Sequence, residues 1–330
     1  MATYKGIQGY SVQSLASDPS PTASVVGQLW YNSTSGGFNI AVGAAGAWAS
    51  GGALNTGRGQ FGLTGTITAA IAFGGTPGNK NAAETYNGTS WTTVPSLNTG
   101  TQYNVGFGTT AAAVNTGGVV SGGADTGITE TWDGEAWTTS PGTLGQISQK
   151  RSASNQAPST TGIVFGGQQQ SPATAIVLTE QWNGSVWTEL ADLAVAREAG
   201  GGGGTQTAAF LAGGNIPPNT QITNVEIWNG TAWSEDSTLN TGRQGLGSAG
   251  TTTSAVVYGG TAGGNVAVTE QYNGTSWTEV ADLGTARQGV GKGTGASGNS
   301  GLAAGFDGSP ATITEVWDGA PASVKTVTVS

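Results

Sequence analysis

The sequence contains no cysteine and no histidine. The chain therefore cannot form disulfides, use a thiolate nucleophile or an imidazole base, or supply the commonest ligands of zinc. From these absences we expect no catalytic, cofactor-binding or metal-binding residues and no cofactor. A chain without cysteine is compatible with oxidising and reducing surroundings alike, so a setting outside the cell remains open.

Charge is scarce as well. Only 9% of the residues are charged, the net charge is −9, and lysine and arginine are scattered singly. Nucleic-acid binding needs clustered basic residues, so we expect no nucleic-acid partner. The first twenty residues, "MATYKGIQGYSVQSLASDPS", hold no apolar run of signal-peptide length, and no segment approaches the ~20 apolar residues of a membrane span. We therefore expect neither a signal peptide nor membrane insertion.

The chain is rich in glycine and tryptophan instead. It has 330 residues, of which 59 are glycine and 11 tryptophan, and 36% are hydrophobic. Low charge combined with many aromatic residues is not a disordered composition, so the chain can bury a core. One all-β domain can be as long as this.

An octapeptide, "ETYNGTSW" at residues 84–91, returns four times in altered form, and its glutamate recurs about every 45 residues. Six residues after a closing tryptophan comes leucine and four later arginine, as in Trp187, Leu193 and Arg197. An apolar run ending in Gly-Gly, such as "AAIAFGG", lies between arginine and glutamate. The glutamates are Glu84, Glu130, Glu180, Glu226, Glu270 and Glu315, and the arginines, all those of the chain, are Arg58, Arg151, Arg197, Arg243 and Arg287.

Two repeats depart from this spacing. Thr101 or Gln102 stands where the second repeat should have its arginine. The distance from Trp137 to Arg151 is four residues longer than in the other repeats, which indicates an insertion in that connection.

Each repeat holds four short strand candidates: a glycine-rich strand, the apolar run, the E-x-[WY] segment and a strand beginning near the tryptophan. Asn-Gly is the strongest signal of a two-residue hairpin. With Asn87-Gly88 as the loop, Glu84 should pair with Trp91 and share its face with Tyr86. A glutamate beside two aromatic rings is partly buried and needs a partner, so we predict that the recurring glutamates and arginines pair.

Four strands in about 45 residues, repeated six times, are the signature of a six-bladed β-propeller. Gly-Gly after an apolar strand, then an aromatic turn, tryptophan, leucine and arginine resembles the kelch repeat over roughly residues 48–319, although Asn-Gly replaces the longer turn of that family. Related enzymes of the galactose-oxidase type hold copper with cysteine, histidine and tyrosine, so that activity is not carried over. We predict an all-β fold, a six-bladed kelch-like β-propeller with a short N-terminal extension.

The predicted domains are an N-terminal attachment segment, residues 1–47, and the propeller, residues 48–330, with blades starting near 58, 102, 151, 197, 243 and 287. The last repeat carries Ala322 where the tryptophan belongs. Either the strand around Trp48, which has the right spacing to Leu54 and Arg58, closes this blade, or "SVKTVTVS" fills the place. We favour the strand around Trp48.

The N-terminal segment reads as a small hairpin, with "NSTSGG" as its turn and "FNIAV" as a strand. Its stretch "GQLWYNSTSGGF" resembles a module near the N-termini of tailed-bacteriophage virion proteins, particularly fibre-like and tail-associated ones. The resemblance implies a non-enzymatic virion structural protein, tail-associated or a surface appendage, that contacts a host surface or other virion proteins. The virion would be its location, and the N-terminal segment its attachment to partner subunits.

Two other functions are open at this point. A carbohydrate-binding adhesin would use aromatic residues that break the repeat, which are Tyr10, Trp30 and Tyr103. A polysaccharide hydrolase would need a pair of carboxylates, but nothing in the sequence singles one out. The acids outside the repeat pattern include Glu135, Asp192, Glu235 and Asp282.

Two further motifs have simpler explanations. "GLGSAG" at 245–250 matches G-x-G-x-x-G but lies in a glycine-rich strand with no helical pattern after it. Asparagine followed by any residue and then serine or threonine occurs mostly in the Asn-Gly turns, which turn chemistry explains. The asparagines concerned are Asn32, Asn87, Asn183, Asn229 and Asn273.

Overall fold

The computed structural model describes residues 12–18, 28–42, 46–291, 293–306, 308, 311–319 and 323–327. All regular structure within these residues is β. The strands are β1 Gln13–Leu15, β2 Leu29–Asn32, β3 Gly37–Val42, β4 Ala47–Ser50, β5 Gly62–Thr66, β6 Ala69–Phe73, β7 Ala83–Tyr86, β8 Trp91–Val94, β9 Val105–Gly108, β10 Ala113–Thr116, β11 Thr129–Trp132, β12 Trp137–Thr139, β13 Ser152–Ala153, β14 Gly162–Phe165, β15 Gln168–Gln170 and β16 Ala173–Ala175. They continue with β17 Thr179–Trp182, β18 Trp187–Glu189, β19 Gly201–Gly204, β20 Ala209–Ala212, β21 Asn215–Ile216, β22 Thr220–Gln221, β23 Val225–Trp228, β24 Trp233–Glu235, β25 Gly247–Thr251, β26 Ser254–Tyr258, β27 Thr269–Tyr272, β28 Trp277–Val280, β29 Ser300–Ala304, β30 Thr314–Asp318 and β31 Ser323–Thr326.

The chain divides into two compact units, one of residues 1–45 with 319–330 and one of residues 46–318. In the smaller unit β2 and β3 form the predicted hairpin, β1 pairs with β2 in parallel and β31 pairs with β3. The C-terminal strand β31 therefore pairs with the N-terminal segment, whereas the repeat spacing places residues 319–330 in the repeat domain.

One carboxylate organises the side chains of this smaller unit. Oδ1 of Asp18 accepts hydrogen bonds from Trp30 Nε1, Asn32 Nδ2 and Asn39 Nδ2, each at 2.8 Å. These three donors are buried, and their hydrogen bonds, that from Asn32 first, hold the pKa of Asp18 below its usual value. Trp30 therefore packs and donates within its own unit, with only 2% of its surface exposed, and does not offer a surface for stacking on a sugar.

The larger unit is propeller-like, with one antiparallel sheet for each recurring glutamate. Its four-stranded sheets are β5-β6-β7-β8, β9-β10-β11-β12, β13-β14-β17-β18, β19-β20-β23-β24 and β25-β26-β27-β28, and a further sheet is β29-β30-β4. We call these sheets 1 to 6. The first strands of sheets 1 to 5, which we call the inner strands, contact one another in chain order: β5 with β9, β9 with β13, β13 with β19 and β19 with β25. In sheet 6, β29 contacts both β25 and β5.

The strand around Trp48 is an outer strand of sheet 6. In the pairing of β4 with β30, Trp48 lies opposite Trp317 and Ser50 opposite Glu315. The segment "SVKTVTVS" contributes β31, which pairs with β3 instead. Ala322, the residue at the expected tryptophan position, lies outside the described residues.

The predicted hairpin register is wrong by two residues. Trp91 pairs with Tyr86, not with Glu84, and the two rings lie 4.9 Å apart. The cause is the Asn87 side chain, whose Oδ1 accepts the amides of Thr89 and Ser90 at 2.9 Å and so moves the turn one residue onward. Only Gly88 of the Asn-Gly pair has a positive φ, 94°. The same side-chain turn occurs at Asn183, Asn229 and Asn273, which confirms that turn chemistry explains these asparagines.

The predicted pairing of the recurring glutamates with the arginines is confirmed. Arg58 Nη2 donates to Glu84 Oε1 at 2.5 Å, and both side chains are fully buried. The same carboxylate accepts the amides of Asn55 at 2.7 Å and Thr56 at 3.0 Å, which follow Leu54. Each pair thus ties the segment before a sheet to the third strand of that sheet. The others are Arg151–Glu180, Arg197–Glu226, Arg243–Glu270 and Arg287–Glu315.

Arg151 does not occupy the position of the other arginines. The carbonyl oxygens of Arg197, Arg243 and Arg287 each accept the amide of the second glycine of a Gly-Gly pair, and in the third repeat Ser148 does so, from Gly118 at 3.0 Å. Arg151 reaches Glu180 from three residues further along the chain. The four extra residues seen in the sequence are therefore a one-residue insertion plus this displacement.

Glu130 is the exception among the recurring glutamates. It is 0% exposed and accepts the amides of Asn98 at 2.8 Å and Thr99 at 2.9 Å. Thr101 stands at the arginine position, and among the described residues no cation forms an ion pair with this carboxylate. Burial raises the pKa of Glu130, and the amide hydrogen bonds only partly oppose that shift.

The closing tryptophans join neighbouring sheets. Trp91 Nε1 donates to Thr314 Oγ1 at 3.1 Å, and Thr314 directly precedes Glu315. Trp137 Nε1 is buried without a hydrogen-bond partner, because Ala83 stands before Glu84 where threonine would be needed. The other tryptophan–threonine pairs are Trp48–Thr269, Trp187–Thr129 and Trp233–Thr179.

The two kinds of tryptophan give a first prediction. Trp91→Phe removes the hydrogen bond to Thr314, and Trp137→Phe removes a similar ring without removing a hydrogen bond. We expect Trp91→Phe to be less stable than Trp137→Phe by about 1 kcal/mol, the net contribution of one buried hydrogen bond. Urea unfolding followed by far-UV circular dichroism measures the difference. Equal midpoints for the two variants would show that these bonds contribute nothing.

The difference between Glu84, which pairs with an arginine, and Glu130, which does not, gives a second prediction. Glu84→Gln leaves Arg58 buried without its counter-charge, so we expect a loss of about 3 kcal/mol or more. Glu130→Gln removes a buried charge that has no cation but sets an NH2 group against one of the two amides, so the loss of stability at pH 7 should be well below that of Glu84→Gln. Because its folded pKa is raised, the contribution of Glu130 is most favourable below the unfolded value and is lost as the pH rises through the folded value.

The stability of Glu130→Gln relative to the unmodified protein should therefore fall as the pH falls from 7 toward 5. Urea midpoints of both proteins across this range provide the measurement, with Glu84→Gln as the matched control. A Glu130→Gln protein as unstable as Glu84→Gln would contradict this account.

Candidate functional site

Six backbone amides form a closed ring of hydrogen bonds in the larger unit. Each N–H donates to the carbonyl oxygen of the equivalent residue in a neighbouring repeat, at 2.8 to 3.0 Å. The amide of Gln60 donates to the carbonyl of Gly289, which links the first repeat to the last. We call this set the amide ring; its members are Gln60, Tyr103, Lys150, Ala199, Gly245 and Gly289.

The ring requires a left-handed backbone at every position. The φ angles are 52° at Gln60, 57° at Tyr103, 56° at Lys150 and 55° at Ala199, and 64° at both glycines. This conformation costs a residue with a side chain about 1 kcal/mol, and glycine adopts it freely. Four of the six positions nevertheless carry side chains, which is an outlier of the kind that points to a functional role.

A cavity of about 130 Å³ opens over the ring. It is lined by Gln60, Tyr103, Lys150, Ala199, Gln244, Gly245 and Gln288. Of the three aromatic residues that break the repeat, Tyr103 lies at this cavity, Trp30 is buried in the smaller unit, and Tyr10 falls outside the described residues. The sequence could single out Tyr103 as irregular, but the glutamines give no such signal.

Lys150 is held firmly at the edge of the cavity. Its Nζ donates to Glu198 Oε2 at 2.9 Å and to Gln168 Oε1 at 3.0 Å, and lies 5.7 Å from the centre of the Tyr103 ring. Glu198 is 4% exposed, and its Oε1 accepts Asn215 Nδ2 at 3.1 Å. The lysine charge is thus balanced by a buried carboxylate, and the cavity wall is polar without carrying a net charge.

The interior beside the inner strands is occupied by protein. Oγ1 of Thr64 in sheet 1 donates to the carbonyl of Asn155 at 3.0 Å, and Nε2 of Gln156 donates to the carbonyls of Gly250 at 2.5 Å and Gly295 at 2.9 Å. Asn155 and Gln156 follow β13, which has only two residues because the chain leaves the sheet here. The sequence signal was present: "SASNQAPS" replaces the glycine-rich pattern of the first strand.

The four carboxylates considered for a hydrolase do not line the cavity over the amide ring. Glu135, Asp192, Glu235 and Asp282 are all exposed, in separate repeats or the connections between them. "GLGSAG" lies around β25, which a second strand follows at once, so the context of a dinucleotide site is missing. Within the residues that the structure describes, no three acidic side chains cluster as a metal site would require.

No known protein family matches the chain, and no curated protein does so either. No helix long and apolar enough to span a membrane occurs in the part of the chain that the structure describes.

Proposed function

We propose that residues 46–318 form a closed, six-bladed, kelch-like β-propeller. The cyclic order of the amide ring supports this, since Gln60 of the first repeat bonds to Gly289 of the last. The tryptophans follow the same order: Trp91 of sheet 1 reaches sheet 6, and Trp48 in sheet 6 reaches sheet 5. In this arrangement β4 supplies the outer strand of the sixth blade.

The inner place of the sixth blade is taken by the segment before β29. Its Gly291 amide donates to Ala304 at 2.9 Å, and Thr294 Oγ1 donates to Leu302 at 3.1 Å. A side chain at Gly291 would collide with Leu63 and Phe61 of sheet 1, so this segment packs directly against the first blade. These contacts favour closure between the sixth and first blades.

The function we propose is that of a non-enzymatic structural protein of a tailed-bacteriophage virion, tail-associated or a surface appendage. The observation that carries the proposal is the stretch "GQLWYNSTSGGF", which resembles the N-terminal module of such virion proteins. In the smaller unit this stretch forms a hairpin fixed by the hydrogen bonds to Asp18. This unit serves as the attachment to other virion proteins, and the propeller contacts a host surface or neighbouring subunits.

The use of charge in the repeats fits a scaffold better than an enzyme. All five arginines are buried against the recurring glutamates, so these side chains maintain the fold. A second candidate function, binding of a host-surface carbohydrate, is favoured by the polar cavity over the amide ring, where Tyr103 breaks the repeat. The two are compatible, because a virion appendage can carry a binding site.

The virion role predicts that the chain is present on particles. An antibody raised against this protein should label purified particles, on the tail or the surface, in immunogold electron microscopy. The chain should also sediment with the particles in a density gradient. Antibody absorbed beforehand with the purified protein is the control. Recovery of the chain only in the soluble fraction, with unlabelled particles, would overturn the proposal.

A further inference from the structure

We propose that the cavity over the amide ring binds one neutral saccharide residue, such as the exposed end of a glycan chain. The inference rests on the proposed function, since it gives the surface-presented propeller a ligand and a place to bind it. It is argued from the side chains at the six ring positions and from the charge and size of the cavity.

The scaffold is nearly sixfold, but the ring side chains are not. In chain order they are large in the first three repeats, Gln60, Tyr103 and Lys150, and small in the next three, Ala199, Gly245 and Gly289. One half of the ring therefore carries large side chains, which we call the wall, and the other half carries small residues, which we call the floor. The cavity lies where wall and floor meet, because its lining takes residues from both halves.

The backbone conformation of the ring does not itself require the three large side chains of the wall. The left-handed backbone favours glycine, as at Gly245 and Gly289, so a large side chain at such a position is less favourable than glycine. Repeat positions that support the fold, such as the Gly-Gly pairs, keep the same residue in most repeats. Lys150 also supports the fold through its ion pair with Glu198, but the difference between the two halves of the ring gives the cavity its shape.

The lining offers the groups that recognise a sugar. The carboxamides of Gln244 and Gln288 each have donor and acceptor atoms, which match the hydroxyl groups of a saccharide. Lys150 Nζ lies over one face of the Tyr103 ring, and the rest of that ring supplies an aromatic surface at the same cavity that can contact the C–H groups of a pyranose. A few polar groups converging beside one aromatic ring are typical of a small-molecule site.

Charge selects a neutral ligand over an acidic one. Lys150 is already balanced by Glu198 at 2.9 Å, and its charge also acts on the carboxylate of Asp125. Among the residues that line the cavity the one cation, Lys150, is already paired, so the charge of an acidic sugar would not be compensated there.

Size limits the ligand to one residue. The cavity of about 130 Å³ is smaller than the roughly 300–1,000 Å³ typical of sites for drug-sized molecules. A larger cavity, of about 390 Å³, lies between sheets 1 and 2 and is lined largely by strand and turn positions that recur in the other repeats, among them Thr85 and Thr92. Because these positions belong to the repeat, that cavity serves as the matched control.

Saturation-transfer NMR on the full chain tests the proposal. The probes are glucose, galactose, mannose and N-acetylglucosamine, with glucuronate as the acidic counterpart of glucose. Two variants alter the proposed site: Tyr103→Ala removes the aromatic face, and Gln288→Trp fills the cavity. Thr92→Ala alters the control cavity. Ala199 has the same φ as Tyr103 within 2°, so alanine is compatible with this backbone; Tyr103→Gly provides a second variant.

We expect at least one neutral sugar to bind, with affinity about tenfold weaker or lost in Tyr103→Ala and Gln288→Trp and unchanged in Thr92→Ala. Glucuronate should bind more weakly than glucose. Equal binding by all variants, tighter binding of glucuronate, or no binding of any neutral sugar would overturn the proposal. None of these results depends on whether the chain is present on particles, so the ligand and the virion role can fail separately.

Discussion

A buried guanidinium–carboxylate pair is the interaction on which the repeat depends. A carboxylate buried beside aromatic rings is tolerated only when it is neutralised and hydrogen-bonded. Here it receives both from one short segment: the two amides after a leucine and, two residues later, an arginine, as in Asn55, Thr56 and Arg58 around Glu84. The pair thereby fixes the connecting segment against the third strand of its own sheet.

The amide ring follows from that fixation. Its residue comes two positions after the arginine, so Arg58 sets the place of Gln60, and Arg197 that of Ala199. The ring can tolerate a change in how the carboxylate is neutralised. In the third repeat Ser148 holds the backbone position and Arg151 supplies the charge from further along; in the second, Glu130 is held by amides alone. The hydrogen bonds of the amide ring form alike in the first, second and third repeats.

The sequence predicted the repeat and its charge pairing well, because periodic features depend on spacing alone. It correctly predicted that Glu84 pairs with an arginine of the repeat. It also correctly placed the strand around Trp48 beside the strand that holds Glu315. It failed where a local feature changes the chain spacing. The Asn87 side chain moves the hairpin turn, and a one-residue insertion brings Ser148 to the place expected for Arg151. The cavity over the amide ring could not be predicted, since Gln244 and Gln288 lie in separate repeats and line one cavity only when these repeats pack together.

Hydrogen exchange at the Gln60 amide shows whether the ring of hydrogen bonds is closed, because this amide alone joins the first repeat to the last in the ring. Measured residue by residue by NMR on the full chain, it should exchange as slowly as the ring amides of Tyr103 and Ala199, since all three open only when the ring opens. Rapid exchange at Gln60 with protection at the other two would show that the ring is open between its ends, and would contradict the account.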